Sequence, residues 1–115
     1  MHELRIAAEI IRIVEQVAAE EKLTEIRGVG LRLGALTGID PEALSFSYQA
    51  AVVGTPLDGS NLDIEWLMVR GRCNLCQKDF EVEDSFYACP FCASRNLEIR
   101  QGEELEVTHL VDGQP

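Results

Sequence analysis

Cys73-Asn74-Leu75-Cys76 and, after a twelve-residue spacer, Cys89-Pro90-Phe91-Cys92 decide how this sequence is read. Each pair sets two sulfurs on one tight turn, and two such turns can bring four thiolates around a single tetrahedral Zn²⁺. Iron suits the same soft cage. The spacer, Gln77 to Ala88, is long enough for two short strands and a turn, so the spacing predicts a zinc ribbon. Two readings compete with it: a pair of disulfides, or a thioredoxin-like redox pair at Cys89 and Cys92. The redox pair requires a βαβ frame that this segment does not supply.

Working outward, the cysteine region from about Arg70 to Arg100 is too short to build a core of its own and depends on its metal as a staple. The rest of the 115 residues must therefore supply the hydrophobic core. On the N-terminal side, Ala7, Ile10, Ile11, Val14, Val17 and Ala18 recur at helical spacing, with Arg5, Glu9, Arg12, Gln16 and Glu20 on the opposite arc. From Thr24 to Gly34 the pattern switches to alternation. Val29, Leu31 and Leu33 mark one face, while Gly28 and Gly30 leave room for close approach on the other, and a bulge is expected near Arg27.

Asp40-Pro41-Glu42 is a helix start made of a cap, a first-turn proline and an acid at the positive end of the dipole. That second helix is expected to run to Val52 or Val53, with Leu44, Tyr48, Ala51 and Val52 as its core stripe and Phe46 making a second packing contact on another side. Leu62, Ile64, Trp66 and Met68 then alternate as a second strand, with Met68 read as core. Leu105, Val107, His109 and Val111 alternate as a third. The expected class is α+β: two helices on a small three-stranded mixed sheet, residues 1–69 plus 102–115, with a zinc-ribbon module of short β-hairpins inserted at residues 70–101.

Twenty acids against ten bases give a net charge of −10, which repels nucleic acid and anionic membranes and attracts cations. A nucleic-acid-binding ribbon would need a basic stripe beside Phe80, Phe86, Tyr87 and Phe91, which are instead expected to pack around the cysteines. Glu3, Arg5, Glu9, Arg12 and Glu15 interrupt every candidate signal-peptide core, and no apolar run approaches the ~20 residues of a membrane span. The expected location is therefore the cytoplasm, where reduced thiols favour metal over disulfide. No nucleophile elbow, phosphate loop or HExxH helix is present, so no enzymatic activity is expected.

A second candidate metal site stands at Met1-His2-Glu3-Leu4. A terminal amine, the following amide nitrogens and the His2 imidazole form fused chelate rings suited to Ni²⁺ or Cu²⁺ in planar coordination. His109 is expected to be an ordinary sheet residue.

Taken together, Met1-His2-Glu3-Leu4 ahead of an amphipathic helix, Val29-Gly30-Leu31-Arg32-Leu33-Gly34, Leu62-Asp63-Ile64-Glu65 and the four-cysteine ribbon closely resemble the HypA/HybF family of hydrogenase nickel-incorporation proteins over essentially the whole chain. The resemblance implies a nickel metallochaperone. Its nickel ligands would be Met1, His2 and Glu3, with Glu3 contributing backbone nitrogen and not its side chain. Structural zinc would sit at Cys73, Cys76, Cys89 and Cys92. Implied partners are a nickel-handling GTPase and the large subunit of a [NiFe]-hydrogenase, with urease maturation proteins in some members. The rival reading is a zinc-ribbon interaction adaptor with an idle His2.

Overall fold

The computed structural model describes residues 3–82 and 88–113. Its elements run α1 (Glu3–Glu20), β1 (Ile26–Gly34), a 3-10 turn (Ala35–Thr37), α2 (Pro41–Ala51), β2 (Asn61–Leu67), β3 (Val69–Cys73), β4 (Asp79–Val82), β5 (Leu97–Gln101) and β6 (Leu105–Asp112). They form two sheets of three strands, ordered β2-β1-β6 and β4-β3-β5.

In the first sheet the central β1 pairs in parallel with β2 and antiparallel with β6, a mixed sheet. The α1 and α2 helices pack on one face of it. Ala7, Ile10 and Val14 from α1 and Leu44 and Tyr48 from α2 close over Val29, Leu31 and Leu33, which are essentially inaccessible to solvent. Local chemistry starts α2 where expected: Asp40 accepts hydrogen bonds from the backbone N–H of Glu42 at 2.9 Å and of Ala43 at 3.5 Å, and Pro41 occupies the first turn. Val52 caps its end, and Gly54 takes the left-handed conformation just beyond. The Tyr48 hydroxyl, buried in this layer, shares a hydrogen bond of 2.7 Å with Ser60, which in turn donates to the Leu57 carbonyl at 2.6 Å. Burial pushes the Tyr48 phenol up.

Several side chains lie elsewhere than their sequence pattern implied. Phe46 is 74% exposed: Leu44, Tyr48 and Val52 take the core stripe of α2, and residue 46 falls on its far side. Met68 is 41% exposed because β2 ends at Leu67 and Met68 is the link to β3, while Leu67 and not Trp66 is buried at the end of β2. The alternation of β6 breaks at a register shift: Gly30 faces His109 but Leu31 faces Val107, so Thr108 is the extra residue. Val107 and Leu110 consequently pack against the core. His109 lies across Gly30 on the helix-free face, where any Cβ at position 30 would fall inside its ring. The irregularity near Arg27 is present as a second register shift.

The chain leaves the first sheet at Met68 and returns at Gly102. Four hydrogen bonds tie this junction: Gly34 N–H to the Glu104 carbonyl at 2.8 Å, Leu36 N–H to the Gly102 carbonyl at 2.7 Å, the Gln101 side-chain amide to the Met68 carbonyl at 2.9 Å, and Gly102 N–H to Glu104 Oε1 at 2.8 Å. A methyl group at Gly34 would land on the Gly102 carbonyl, which is backbone and cannot rotate away. Gly34→Ala should therefore destabilise the protein by about 1–3 kcal/mol, measured as a lower urea midpoint. An unchanged midpoint would show that the junction opens at no cost.

Candidate metal centre

The second sheet exists to carry two turns. Cys73 is the last residue of β3, and Cys76 closes the first turn three residues later. The hairpin partner of β3 is β4, so the strand pairing crosses the first cysteine pair instead of lying wholly between the pairs. Within the expected hairpin region, β4 is the strand seen among the described residues. Phe86 and Tyr87 lie outside them.

The two turns share one hydrogen-bond plan. In the first, Cys73 N–H donates to the Lys78 carbonyl at 3.0 Å and Gln77 N–H to the Cys73 carbonyl at 2.9 Å. In the second, Cys89 N–H donates to the Ser94 carbonyl and Ala93 N–H to the Cys89 carbonyl, both at 2.8 Å. Each plan demands a left-handed residue four places after its first cysteine. Gln77 and Ala93 fill that position with φ of 63° each. Neither is a glycine, and spacing alone gave no signal of this. A side chain there costs about 1 kcal/mol or more, so Ala93→Gly should raise the stability of the metal-loaded protein by about 0.5–1 kcal/mol once the greater freedom of the unfolded chain is offset. The check is its thermal midpoint, and a fall would show that the turn is not strained.

The sulfurs converge. Cys73 Sγ lies 3.6 Å from Cys92 Sγ, and Cys76 Sγ 3.6 Å from Cys89 Sγ. All four lie within 4.8 Å of one another. A tetrahedron with metal–sulfur bonds of 2.3 Å has edges of about 3.8 Å, so the donor set fits a four-coordinate thiophilic dication. The cysteines are free, and the two sulfur separations of 3.6 Å are far longer than the ~2.05 Å of a disulfide bond.

Backbone donors prepare the thiolates: Cys76 N–H points at Cys73 Sγ and Phe91 N–H at Cys89 Sγ, both at 3.4 Å. Without a metal the thiols titrate as a linked set. The Cys76 amide, against the cost of burial and with help from Leu75 and the neighbouring thiols, pulls Cys73 down to about 6. At Cys92 the Ser94 amide acts downward but is outweighed by burial and by the other three cysteines, so this thiol is pushed up to about 12. Cys73 and Cys89 are buried, Cys76 is half-buried and Cys92 is exposed, so the centre opens on one side. Lys78 Nζ sits 4.7 Å from the centroid of Phe91, linking one turn to the other. Phe91 is thus exposed and pinned by a cation instead of packed around the sulfurs, whereas Phe80 is half-buried against Gly71.

Of the other candidate ligands, Met1 and His2 lie outside the described residues, and Glu3 opens α1 half-buried. The first turns of α1 share a groove with Leu105 and Glu106, which places the helix start at the junction end of the first sheet. His109 takes a hydrogen bond of 2.9 Å with Thr108 on the sheet face opposite the helices. Among the described residues, the four cysteines are the one cluster of three or more metal-ligating side chains, and no helix is long and apolar enough to cross a membrane.

Comparison with known proteins agrees with this architecture. Residues 1–111 match the family described as hydrogenase/urease nickel incorporation, metallochaperone, hypA. The hydrogenase maturation factors HypA of Picosynechococcus sp. and Chlorobaculum parvum are 38% and 37% identical over 110 residues, covering 96% of this chain and 97% of each relative. The solution structure of the Ni metallochaperone HypA from Helicobacter pylori superposes with a TM-score of 0.67 at 23% identity, over 97% of both chains. A further HypA solution structure gives a TM-score of 0.71 at 24% identity, over 97% of this chain and 96% of that one. Full-length correspondence in sequence, joined to a shared fold, leads to one conclusion: the chain belongs to the HypA family of hydrogenase and urease nickel-incorporation metallochaperones.

Proposed function

We propose that this chain binds Ni²⁺ through Met1, His2 and Glu3 and delivers it during maturation of a [NiFe]-hydrogenase, while Cys73, Cys76, Cys89 and Cys92 hold structural Zn²⁺. In this reading residues 1–69 with 102–115 form the nickel domain and residues 70–101 the zinc domain. The chain works in the cytoplasm with a nickel-handling GTPase and a hydrogenase large subunit, and urease maturation proteins are a second class of client. The observation that carries the reading is the family match from residue 1 onward, which takes in the Met1-His2-Glu3 start. Cargo must be released as well as captured, and ligands at a chain terminus meet that need better than a closed cage. The four-sulfur centre has the opposite character, with every position of a tetrahedron supplied by the protein.

The test is nickel titration of the untagged, zinc-loaded protein with zinc quantified in parallel. A planar nickel complex that survives replacement of His2 would overturn the assignment, and zinc lost at the same rate as nickel would overturn the division of labour between the sites.

Zinc retention should also depend steeply on acidity. Each ligand must shed its proton to bind, and the metal-free Cys73 thiol holds its own only below about 6. Above that value Cys73 is already ionised and zinc capture releases fewer protons. Below it Cys73 is protonated as well, so capture releases one more proton and apparent affinity should fall more steeply, by up to about one further decade per pH unit. Chelator competition between pH 5 and 8 reads this slope, and a slope that does not steepen on acidification would contradict the linked titration.

A further inference from the structure

The two helices cover the middle of the first sheet and leave both of its edges open. The two edges differ in charge. Between Arg32 and Arg70 the sequence has five acidic residues, Asp40, Glu42, Asp58, Asp63 and Glu65, and no Lys, Arg or His. This stretch builds α2 and β2, so these two elements carry charge of a single sign, with Arg32 of β1 standing beside Glu65. At the opposite edge the groove beside β6 has a mixed rim, with Arg5 next to the Glu9–Arg12 and Glu106–Arg32 ion pairs.

Along β2, a trough of about 430 Å³ runs between strand and helix, floored by Leu62 and Ile64 and walled by Phe46, Ser45 and Gln49. Phe46 is the most exposed large apolar side chain among the described residues, and Trp66, 43% exposed, continues the row of Leu62 and Ile64. β2 is an edge strand, bonded to β1 on one side. No other element among the described residues bonds to its backbone. Its alternate residues, Asp63 and Glu65, point to the opposite, helix-free face. Glu65 stands 3.7 Å from Arg32, and Asp63 makes no ion pair among the described residues.

We propose that the β2 edge and the trough beside it form a docking site for an extended segment of another protein in which apolar and basic residues alternate. An added strand places successive side chains on opposite faces. On one face they would enter the trough against Phe46 and Ile64, and on the other they would meet Asp63 and Glu65. The period of two that shapes β2 thus dictates the period of its partner. A second copy of this chain does not fit, because pairing β2 with itself sets Asp63 and Glu65 against acids of the same kind, which opposes association. Nucleic acid is repelled by the same acids. The inference goes beyond the nickel reading and does not rest on it.

The experiment uses the full-length, zinc-loaded protein and two short blocked peptides of equal composition, one with lysine and valine alternating and one with its lysines in a single block. Backbone amide shifts are followed by NMR during titration. The alternating peptide should bind about tenfold or more tightly than its isomer, with shifts centred on residues 61–67 and Phe46. Phe46→Ala, at a solvent-exposed position that leaves the core intact, should weaken it about tenfold, and Asp63→Lys about fivefold. Equal affinity for both peptides would reduce the effect to diffuse charge attraction and overturn the proposal. So would an absence of binding, shifts centred on β6 or the zinc-binding sheet, an undiminished affinity in Phe46→Ala, or self-association of the protein through β2 in sedimentation.

Discussion

Cys73→Ser should release the metal from the four-cysteine centre and unfold the β3, β4 and β5 sheet, while α1, α2 and their own sheet stay folded. Serine keeps its proton at neutral pH and offers no soft donor, so the tetrahedron loses a corner that nothing nearby replaces. Structural zinc in small modules contributes about 10–16 kcal/mol of apparent binding energy, and here little else opposes unfolding. The strands span four or five residues each, Phe80, Leu97 and Ile99 are only half-buried, and besides the cysteines the buried apolar side chains of this sheet are the small pair Val69 and Val82. Cys73 is also the residue through which β3 meets both the first turn and β5, where it pairs with Leu97. The hydrophobic core, by contrast, draws on residues from Ala7 to Leu62, with Val107 and Leu110 packed against it, and includes none from the second sheet. The measurement is zinc content together with amide hydrogen exchange. Protection should vanish across residues 69–82 and 97–101 and persist in α1, α2 and β1. Full protection of β3 in the zinc-free variant would show that the sheet stands without its metal.

The same contrast explains which features could be read from sequence. The start of α2 and the two cysteine turns are local: Asp40, Pro41 and Glu42 act on amides within three residues, and each CxxC positions its own sulfurs. The phase of β6 is not local. Its bulge at Thr108 goes with the space that Gly30, far away in sequence, leaves for the His109 ring, so an unbroken alternation put His109 on the same face as Val107. Phe46 and Met68 depart from their hydrophobic pattern for a related reason. Hydrophobicity says that a side chain gains by burial, but geometry gave the interior to Tyr48 and Leu67 and left these two outside. The junction was the least legible part, because Gly34, Gly102 and Glu104 meet through backbone groups that every residue type carries.

His2→Ala should lower nickel affinity at least about a hundredfold, or ~2.7 kcal/mol, and remove the visible band of planar Ni²⁺ while zinc content stays unchanged. The effect is expected to be large because the imidazole would close a six-membered ring with the amide nitrogen of its own residue, so its loss would remove a donor and the chelate it completes. The setting supports such a site. α1 begins at Glu3, and the first amides of a helix have no intrahelical carbonyl to satisfy, so a metal can take the Glu3 nitrogen without breaking a helical bond. The positive end of a helix dipole opposes a bare cation, but it favours the loss of protons from amide nitrogens, and each amidate offsets one of the metal's charges. Glu3 adds a further negative charge in the first turn. The terminal amine is as necessary as the imidazole on this account, so an N-terminal extension that keeps His2 should abolish planar binding as completely as His2→Ala does. Retention of the planar band in the extended protein would place nickel on other ligands and sink the site, whatever the His2 variant shows.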